Sequence, residues 1–518
     1  MLNGLIKQFD ESYIDYLKDE SGLLGSAEEI SFPSDRDDLI ALLYDLFDNK
    51  KHITAQGSRT GIVGSCVPNG GHILNLSKMN KITGMVMREN CFFLEVQPGV
   101  CLSDINQSLF TKVFKKEDWS ESSLAAYEQF RLAQRQFFPP NPTETTATIG
   151  GMFSSNAGGP NSYYYGKTAK YIEAISIILP SREIWNIQRG QYVFDAQGCK
   201  LPNGKFFCLP LTQKNFSSVP LIAHPGMDLI DFFAASEGML GIVDSLTIRL
   251  LPEPKKIWGV VCLFKNVHSA ICFAKALIKN EFENVSVTAI EYFDKVTLRL
   301  IDELKKTVSR LSVIPDIAPD IEASVYVELI CEIEDDEMME IALLSLQELL
   351  VTCGGDEDLT WAAAGNEEME KFRLFRHAAP EAVNQKKDAH RMAVSEIVKT
   401  AVDFSAPNEY FEQIMEMYDQ DIKSSNILGA IFGHVGNCHL HVNFLPVDME
   451  EMRTVQEIID SWAKKISAFG GCIAAENGIG KLKKHLFSNY VHEFERALAL
   501  QIKQSFDQEN LLNPGNIL

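Results

Sequence analysis

The stretch Gly433-His434-Val435-Gly436-Asn437-Cys438-His439-Leu440-His441-Val442-Asn443 puts three of the chain's 11 histidines within eight residues. About one helix later comes Ala475-Glu476-Asn477-Gly478-Ile479-Gly480, which presents a carboxylate among small residues. Two imidazoles and a carboxylate form a ligand set for a divalent cation with open coordination positions. On a strand, His439, His441 and Asn443 would share one face. His434 precedes a turn at Gly436 and can fold back toward them. The plainer alternative is a solvated or core strand that happens to carry three histidines.

A second set of residues could bind an anion through backbone alone. Gly57-Ser58-Arg59-Thr60-Gly61-Ile62-Val63-Gly64 follows a short apolar run. Glycines permit positive φ, and successive N–H groups can then converge on a phosphate. The pattern is neither the P-loop nor the Rossmann G-x-G-x-x-G. Two further Gly-dense surfaces follow, at 142–159 and 236–243. One long diphosphate ligand would account for all three.

At 518 residues the chain is expected to hold two or three domains. It carries 48 basic and 70 acidic residues, a net charge of −22, which argues against nucleic acid or anionic membrane as a main partner. No apolar run reaches the length of a transmembrane helix, and the first residues do not read as a signal peptide. The 11 cysteines form no C-x-x-C pair, which argues against a disulfide framework or an in-chain iron–sulfur cluster. A reducing cytoplasm is the expected location.

The elements that must position these residues can be read coarsely. Residues 1–30 read as a helical, acidic segment. Strands are expected at His52–Ala55, Ile73–Leu76, Phe92–Val96 and Ile172–Leu179. Leu240 to Leu251 alternates like another, and Pro252-Glu253-Pro254 marks a boundary. Residues 111–136 and 186–220 look like insertions. The second half alternates strands, at Trp258–Phe264 and Ala323–Ile333, with amphipathic helices near 267–279, 335–352 and 448–469.

The motifs, taken in order, are GSRTGIVG (57–64), QPGV (97–100), PPNPTE (139–144), ATIGG (147–151), NAGG (156–159), SEGMLGIV (236–243), GHVGNCHLH (433–441), AENGIG (475–480) and LNPG (512–515). The chain resembles the FAD-linked oxidases of the vanillyl-alcohol oxidase type, in particular the D-lactate, glycolate and D-2-hydroxyglutarate dehydrogenase group. That resemblance spans about 30 to 518. It implies an α+β chain with a two-lobed, non-Rossmann FAD-binding domain at 31–254 and a substrate domain with an antiparallel sheet at 255–500. A tail at 501–518 would return to the FAD domain.

Carried over residue by residue, Gly57, Ser58, Arg59, Thr60, Gly61 and Gly64 would hold the FAD diphosphate. Pro98, Gly99, Thr143, Thr148, Gly150, Gly151, Asn156, Gly158, Gly241, Ile242 and Val243 would line the flavin and adenine, with Asn513 approaching from the tail. The first loop has no His or Cys, so non-covalent FAD is expected. His434, His441 and Glu476 match the family's ligands for a divalent metal, with Zn²⁺ the expected ion. Arg376, in a region resembling the family's W-x-x-R-E-x-x-P-E, would take the substrate carboxylate.

The departures concern the reacting end. The family base is the His of G-E-H-G-I-G, and here that position is Asn477. The family Asn in G-D-G-N-L-H is His439. The family Arg after NAGG-x is Asn161, and the family Lys before D-x-S-x-P is Ala401, for which Lys399 could substitute. His439 could serve as the base in place of residue 477, or as a third histidine ligand; a third reading is that hydroxy-acid oxidation has been lost. The resemblance implies oxidation of a small D-2-hydroxy acid, with electrons leaving to an acceptor protein or quinone. The alternatives are a non-redox flavoprotein resembling the alkyl-glycerone-phosphate synthases, or a flavin-binding subunit that needs a partner. A homodimer stays open.

Overall fold

The computed structural model describes residues 4–208, 221–394, 396, 397 and 400–518. The chain divides into two compact units: Met1–Gly159 with Lys167–Glu253 and Glu476–Leu518, and Pro160–Gly166 with Pro254–Ala475. Among the described residues no helix is long and apolar enough to cross a membrane.

The first unit holds two larger sheets. Four strands run in the order Ile6–Gln8, Glu29–Ser31, His72–Asn75, Ile53–Gln56, and the last three pair in parallel. Parallel neighbours need a crossover, and helix Arg36–Asp48 supplies it. Asp35 caps that helix by accepting from the Asp38 amide at 2.9 Å. Leu39, Leu42, Leu43 and Leu46 lie on one stripe of it and are fully buried against Ile53, Leu74 and Leu512. Each such leucine contributes about 1.5–3 kcal/mol. A five-stranded antiparallel sheet runs Ile82–Arg88, Cys91–Val96, Ile242–Arg249, Ile172–Ile178, Ile184–Gln188.

The expectation of a helical segment over 1–30 does not hold. Ile6–Gln8 is an edge strand, Glu11–Leu17 a 3-10 helix, and neither buries a full apolar stripe. With no such stripe, pairing to the sheet outweighs helix propensity. The 111–136 insertion forms helix Glu121–Leu132. Its Tyr127 and Phe130 pack edge-on with Phe114, and Trp119 joins them. Of the 186–220 insertion, Gly198–Lys200 pairs with Phe206–Cys208, and residues 209–220 lie outside the described residues.

The second unit is built on one seven-stranded sheet, ordered Thr360–Ala364, Lys256–Phe264, Ala323–Cys331, Val285–Asp294, Gly429–Gly433, His439–Phe444, Thr400–Ser405. Every pair is antiparallel. The interior strand Ala323–Cys331 is buried at every position. Helix Gly365–Ala393 lays Phe372, Phe375, Ala378, Ala379 and Val383 on the sheet against Phe293 and Tyr326.

Candidate active site

The His-rich stretch is a hairpin of the second sheet. Strand Gly429–Gly433 leads into a 3-10 turn at Val435–Asn437, Cys438 takes a left-handed φ of 47°, and strand His439–Phe444 returns. Tyr292 pairs with Gly433, so the next position of that ladder sets Glu291 opposite His434. Nδ1 of His434 lies 2.6 Å from Oε1 of Glu291, and both side chains are buried. This contact fixes the orientation of the His434 ring through Nδ1. Burial pushes the Glu291 carboxyl up, but the charges of His434, Arg376 and His441 outweigh it and hold the group below its ordinary range.

His441 sits centrally, paired with Phe432 on one side and Asp403 on the other. The three imidazole centroids are 4.8–5.3 Å apart. Ligand atoms of His434, His441 and Glu476 all lie within 4.8 Å of one another. Glu476 is one peptide bond beyond Ala475, whose amide donates to the Asp403 carbonyl at 2.9 Å, so the backbone leads directly from this sheet to the carboxylate. The donor set fits a divalent cation: two imidazoles and a carboxylate, with a buried carboxylate behind one imidazole. His439 is 5% exposed, with its ring beside His441, and is not one of the three clustered ligands.

Gly433 explains how the imidazole fits. Its φ is +129°, and a Cβ there would come 2.9 Å from Cδ2 of His441. Gly433→Ala is expected to cost about 1–3 kcal/mol of stability and to displace His441. Denaturant unfolding and metal stoichiometry would check it; an alanine variant with unchanged values for both would show that the close approach is dispensable.

Arg376 is 8% exposed, its guanidinium 5.4 Å from the Tyr326 ring centroid. Its Nε has no hydrogen-bond partner among the described residues, and neither has Nδ2 of Asn443. Buried donors of this kind need an acceptor. Asn161 behaves differently. Its Nδ2 donates to Glu328 at 2.5 Å, and Glu328 also accepts from Thr288 at 2.7 Å and Tyr326 at 2.9 Å. The residue that replaces the family's Arg is thus tied to a buried carboxylate. Lys399 lies outside the described residues.

In the first unit, the loop after strand Ile53–Gln56 has the shape of an anion cradle. Among the described residues the amides of Ser58, Arg59, Thr60 and Gly61 donate to no hydrogen bond. The Gly64 amide is engaged, donating to Asp19 at 3.0 Å, and the Arg59 guanidinium lies 4.3 Å from the Tyr16 ring centroid. Four open amides in succession fit a diphosphate. A Cβ at Gly57 would collide with Thr148, and one at Gly150 would lie 2.6 Å from the Pro98 side chain, so these segments converge only because they lack side chains. The Gly99 amide donates to Met79 and the Thr148 hydroxyl caps Gly151.

Other carried-over residues have structural tasks. Asn156 takes φ 47° and accepts from the Ala169 amide. Ile242 and Val243 pair with Ile178 and Ile177, and Gly241 packs on Ile177. Thr143 is exposed, and Gly158 is buried. Asn513 uses its amide to bind Ala55 and the Glu237 carbonyl. Glu237, part of the SEGMLGIV motif but not named there as a site residue, accepts from the amides of Ile479 and Gly480 at 2.7 and 2.9 Å, while burial pushes its carboxyl up. Glu291 and Glu328 were also missed. Glu328 is the lone carboxylate of its strand, and Glu291 interrupts the apolar run Ala289–Phe293, which is a readable signal.

An amide cradle in one unit and a large antiparallel sheet in the other define an FAD-dependent oxidase of the vanillyl-alcohol oxidase type. The C-terminal domain of the FAD linked oxidases matches residues 253–517, and an FAD binding domain matches 27–117. The chain belongs to the FAD linked oxidases. It is 26% identical to a D-lactate dehydrogenase of Anaerostipes hadrus over 98% of this chain and 93% of that protein. It is 23% identical to the glycolate oxidase subunit GlcD of Bacillus subtilis, over 94% and 87%. A 4-ethylphenol oxidase from Gulosibacter chungangensis, solved with isoeugenol, shares the fold with a TM-score of 0.66 at 13% identity, over 99% of this chain and 94% of that one. The α+β class and the family expected from the motifs both hold.

Proposed function

We propose that this protein oxidises a D-2-hydroxy acid to the 2-oxo acid, with non-covalent FAD and a divalent cation, probed first as Zn²⁺, held by His434, His441 and Glu476. The observation that carries this reading is the cluster of those three residues, His434 buried and the other two half-buried, with Glu291 behind His434. The names of its relatives, a D-lactate dehydrogenase and a glycolate oxidase subunit, support it.

FAD supplies the two-electron acceptor, and the cation a Lewis acid for the substrate hydroxyl. The chain's own groups do the rest. Arg376 takes the carboxylate with its fork of donors, and the open Nδ2 of Asn443 adds a further donor. His439 accepts the hydroxyl proton as the α-hydrogen leaves with its electron pair. Asn477 is a neutral neighbour in place of the family base. Electrons leave to a separate protein or quinone.

Anaerobic mixing of the yellow, metal-loaded protein with a panel of 2-hydroxy acids tests this. Absorbance near roughly 450 nm is expected to bleach with a D-enantiomer and to persist with its L-enantiomer. Bleaching by no acid in the panel would overturn the reading. His439→Ala is expected to retain the cation and to slow flavin reduction by about 10²–10⁴-fold. Loss of the cation instead would make His439 a ligand.

A further inference from the structure

Away from these groups, two thiols of the second unit meet. Cys272 lies within helix Val267–Lys279, and Cys353 caps the C-terminal end of helix Asp336–Thr352. Their sulfur atoms are 2.6 Å apart. That is closer than two non-bonded sulfurs settle, and only about 0.5 Å beyond a covalent S–S bond.

The local backbone is shaped to produce this approach. The two helices pack on each other. The chain leaves Cys353 through Gly354, whose φ is +77°, and then Gly355. A Cβ at Gly354 would come 3.1 Å from the Ser269 hydroxyl, and one at Gly355 would run into Leu350. Gly354 thus permits the close approach to the first helix, and Gly355 the tight turn at the end of the second. Both thiols are partly exposed, so a small oxidant reaches them. Burial and the neighbouring Cys272 push the Cys353 thiol up to about 12, so Cys353 keeps its proton at neutral pH.

We propose that Cys272 and Cys353 form a reversible disulfide site, closed by a hydroperoxide and opened by a dithiol. Cys272 gives up its proton as its sulfur attacks one oxygen of hydrogen peroxide; the O–O bond breaks, a sulfenic acid forms, and the departing hydroxide takes up that proton as water. The Cys353 sulfur then attacks that sulfenic sulfur, its proton leaves with the hydroxyl as a second water, and the S–S bond forms. Two thiols lose two electrons and the peroxide gains them. Opening by a dithiol returns both S–H groups as the dithiol becomes a cyclic disulfide.

The bridge would join positions 81 residues apart in the sequence. Helix Val267–Lys279 also packs against the Val435–Asn437 turn of the His-rich hairpin, so the bridge braces the helix on which that turn rests. The proposal does not depend on the hydroxy-acid reading.

The full-length protein, reduced and then treated with equimolar hydrogen peroxide, is expected to lose two of its 11 free thiols. A peptide map without reductant should show the Cys272 and Cys353 peptides joined, lighter by two hydrogens, and separated again by dithiothreitol. The oxidised form should melt higher than the reduced one by on the order of 5–10 °C. Cys272→Ser and Cys353→Ser should each lack the joined peptide and show no such difference. The proposal is overturned if both cysteines stay open to alkylation after peroxide. It is equally overturned if either bridges to a different cysteine, or if Cys272 goes to an unlinked sulfinic acid. These outcomes are read on the unaltered chain, so they stand even if a serine variant folds poorly.

Discussion

His441→Ala is expected to abolish stoichiometric binding of a divalent cation while FAD stays bound. His441 is one of three clustered ligands and the one set in the middle of the sheet, flanked by Phe432 and Asp403. Alanine there leaves the cluster with one imidazole and one carboxylate. The companion change, Glu291→Gln, should weaken the cation by about 10–100-fold, the usual effect of losing an outer carboxylate. Gln can still accept from Nδ1 of His434, but it no longer adds negative charge to that imidazole. Metal analysis and chelator competition read both effects, and the flavin spectrum guards against simple unfolding. A full complement of cation in His441→Ala would remove the site. Equal affinity in Glu291→Gln and the unaltered protein would show that Glu291 does not tune it.

Arg376→Lys should lower kcat/KM for the acid substrate mainly through KM. Truncating one member of a buried, hydrogen-bonded charge pair costs about 2–5 kcal/mol, or roughly 30- to several-thousand-fold. Lysine keeps the charge but loses the two-pronged geometry, so it should fall near the lower end. Arg376→Met should fall near the upper end, because it also removes the positive neighbour of Glu291. The informative control is a substrate analogue with no carboxylate. Its turnover, however slow, should be alike in the unaltered enzyme and in the Arg376→Lys variant if Arg376 acts through the carboxylate. An equal loss on both substrates would assign Arg376 to the packing against Tyr326 instead.

Much of this could be read from residue order. The strands around Ile53, Ile73 and Phe92 and the helix at 267–279 fall within two residues of their expected places, because short apolar runs between glycines and prolines have few other uses. His434, His441 and Glu476 were named from spacing and resemblance, and their side chains do converge. The partners that make them effective were not legible. Glu291 is 143 residues from His434, and only the register of two strands brings them together. Asp19 was likewise hidden, because a turn in an otherwise polar segment places its carboxylate on the Gly64 amide. The closeness of Cys272 to Cys353 depends on the packing of two helices, and the absence of a C-x-x-C pattern pointed the other way.

The segment Glu476–Leu518 belongs to the first unit, although the second unit's main stretch, Pro254–Ala475, precedes it in the chain. Strand Ile53–Gln56 ends its sheet, and the tail covers it: the Ile53 amide donates to the Leu511 carbonyl and the Asn513 amide to the Ile53 carbonyl, both at 2.7 Å. During synthesis that edge therefore stays bare while the ribosome translates the whole intervening unit, some tens of seconds at about 5–20 residues per second. A bare strand edge invites pairing with other chains. The cofactor unit is thus the first to be started and the last to be sealed, and its exposure to misassembly is set by the length of the domain inserted into it.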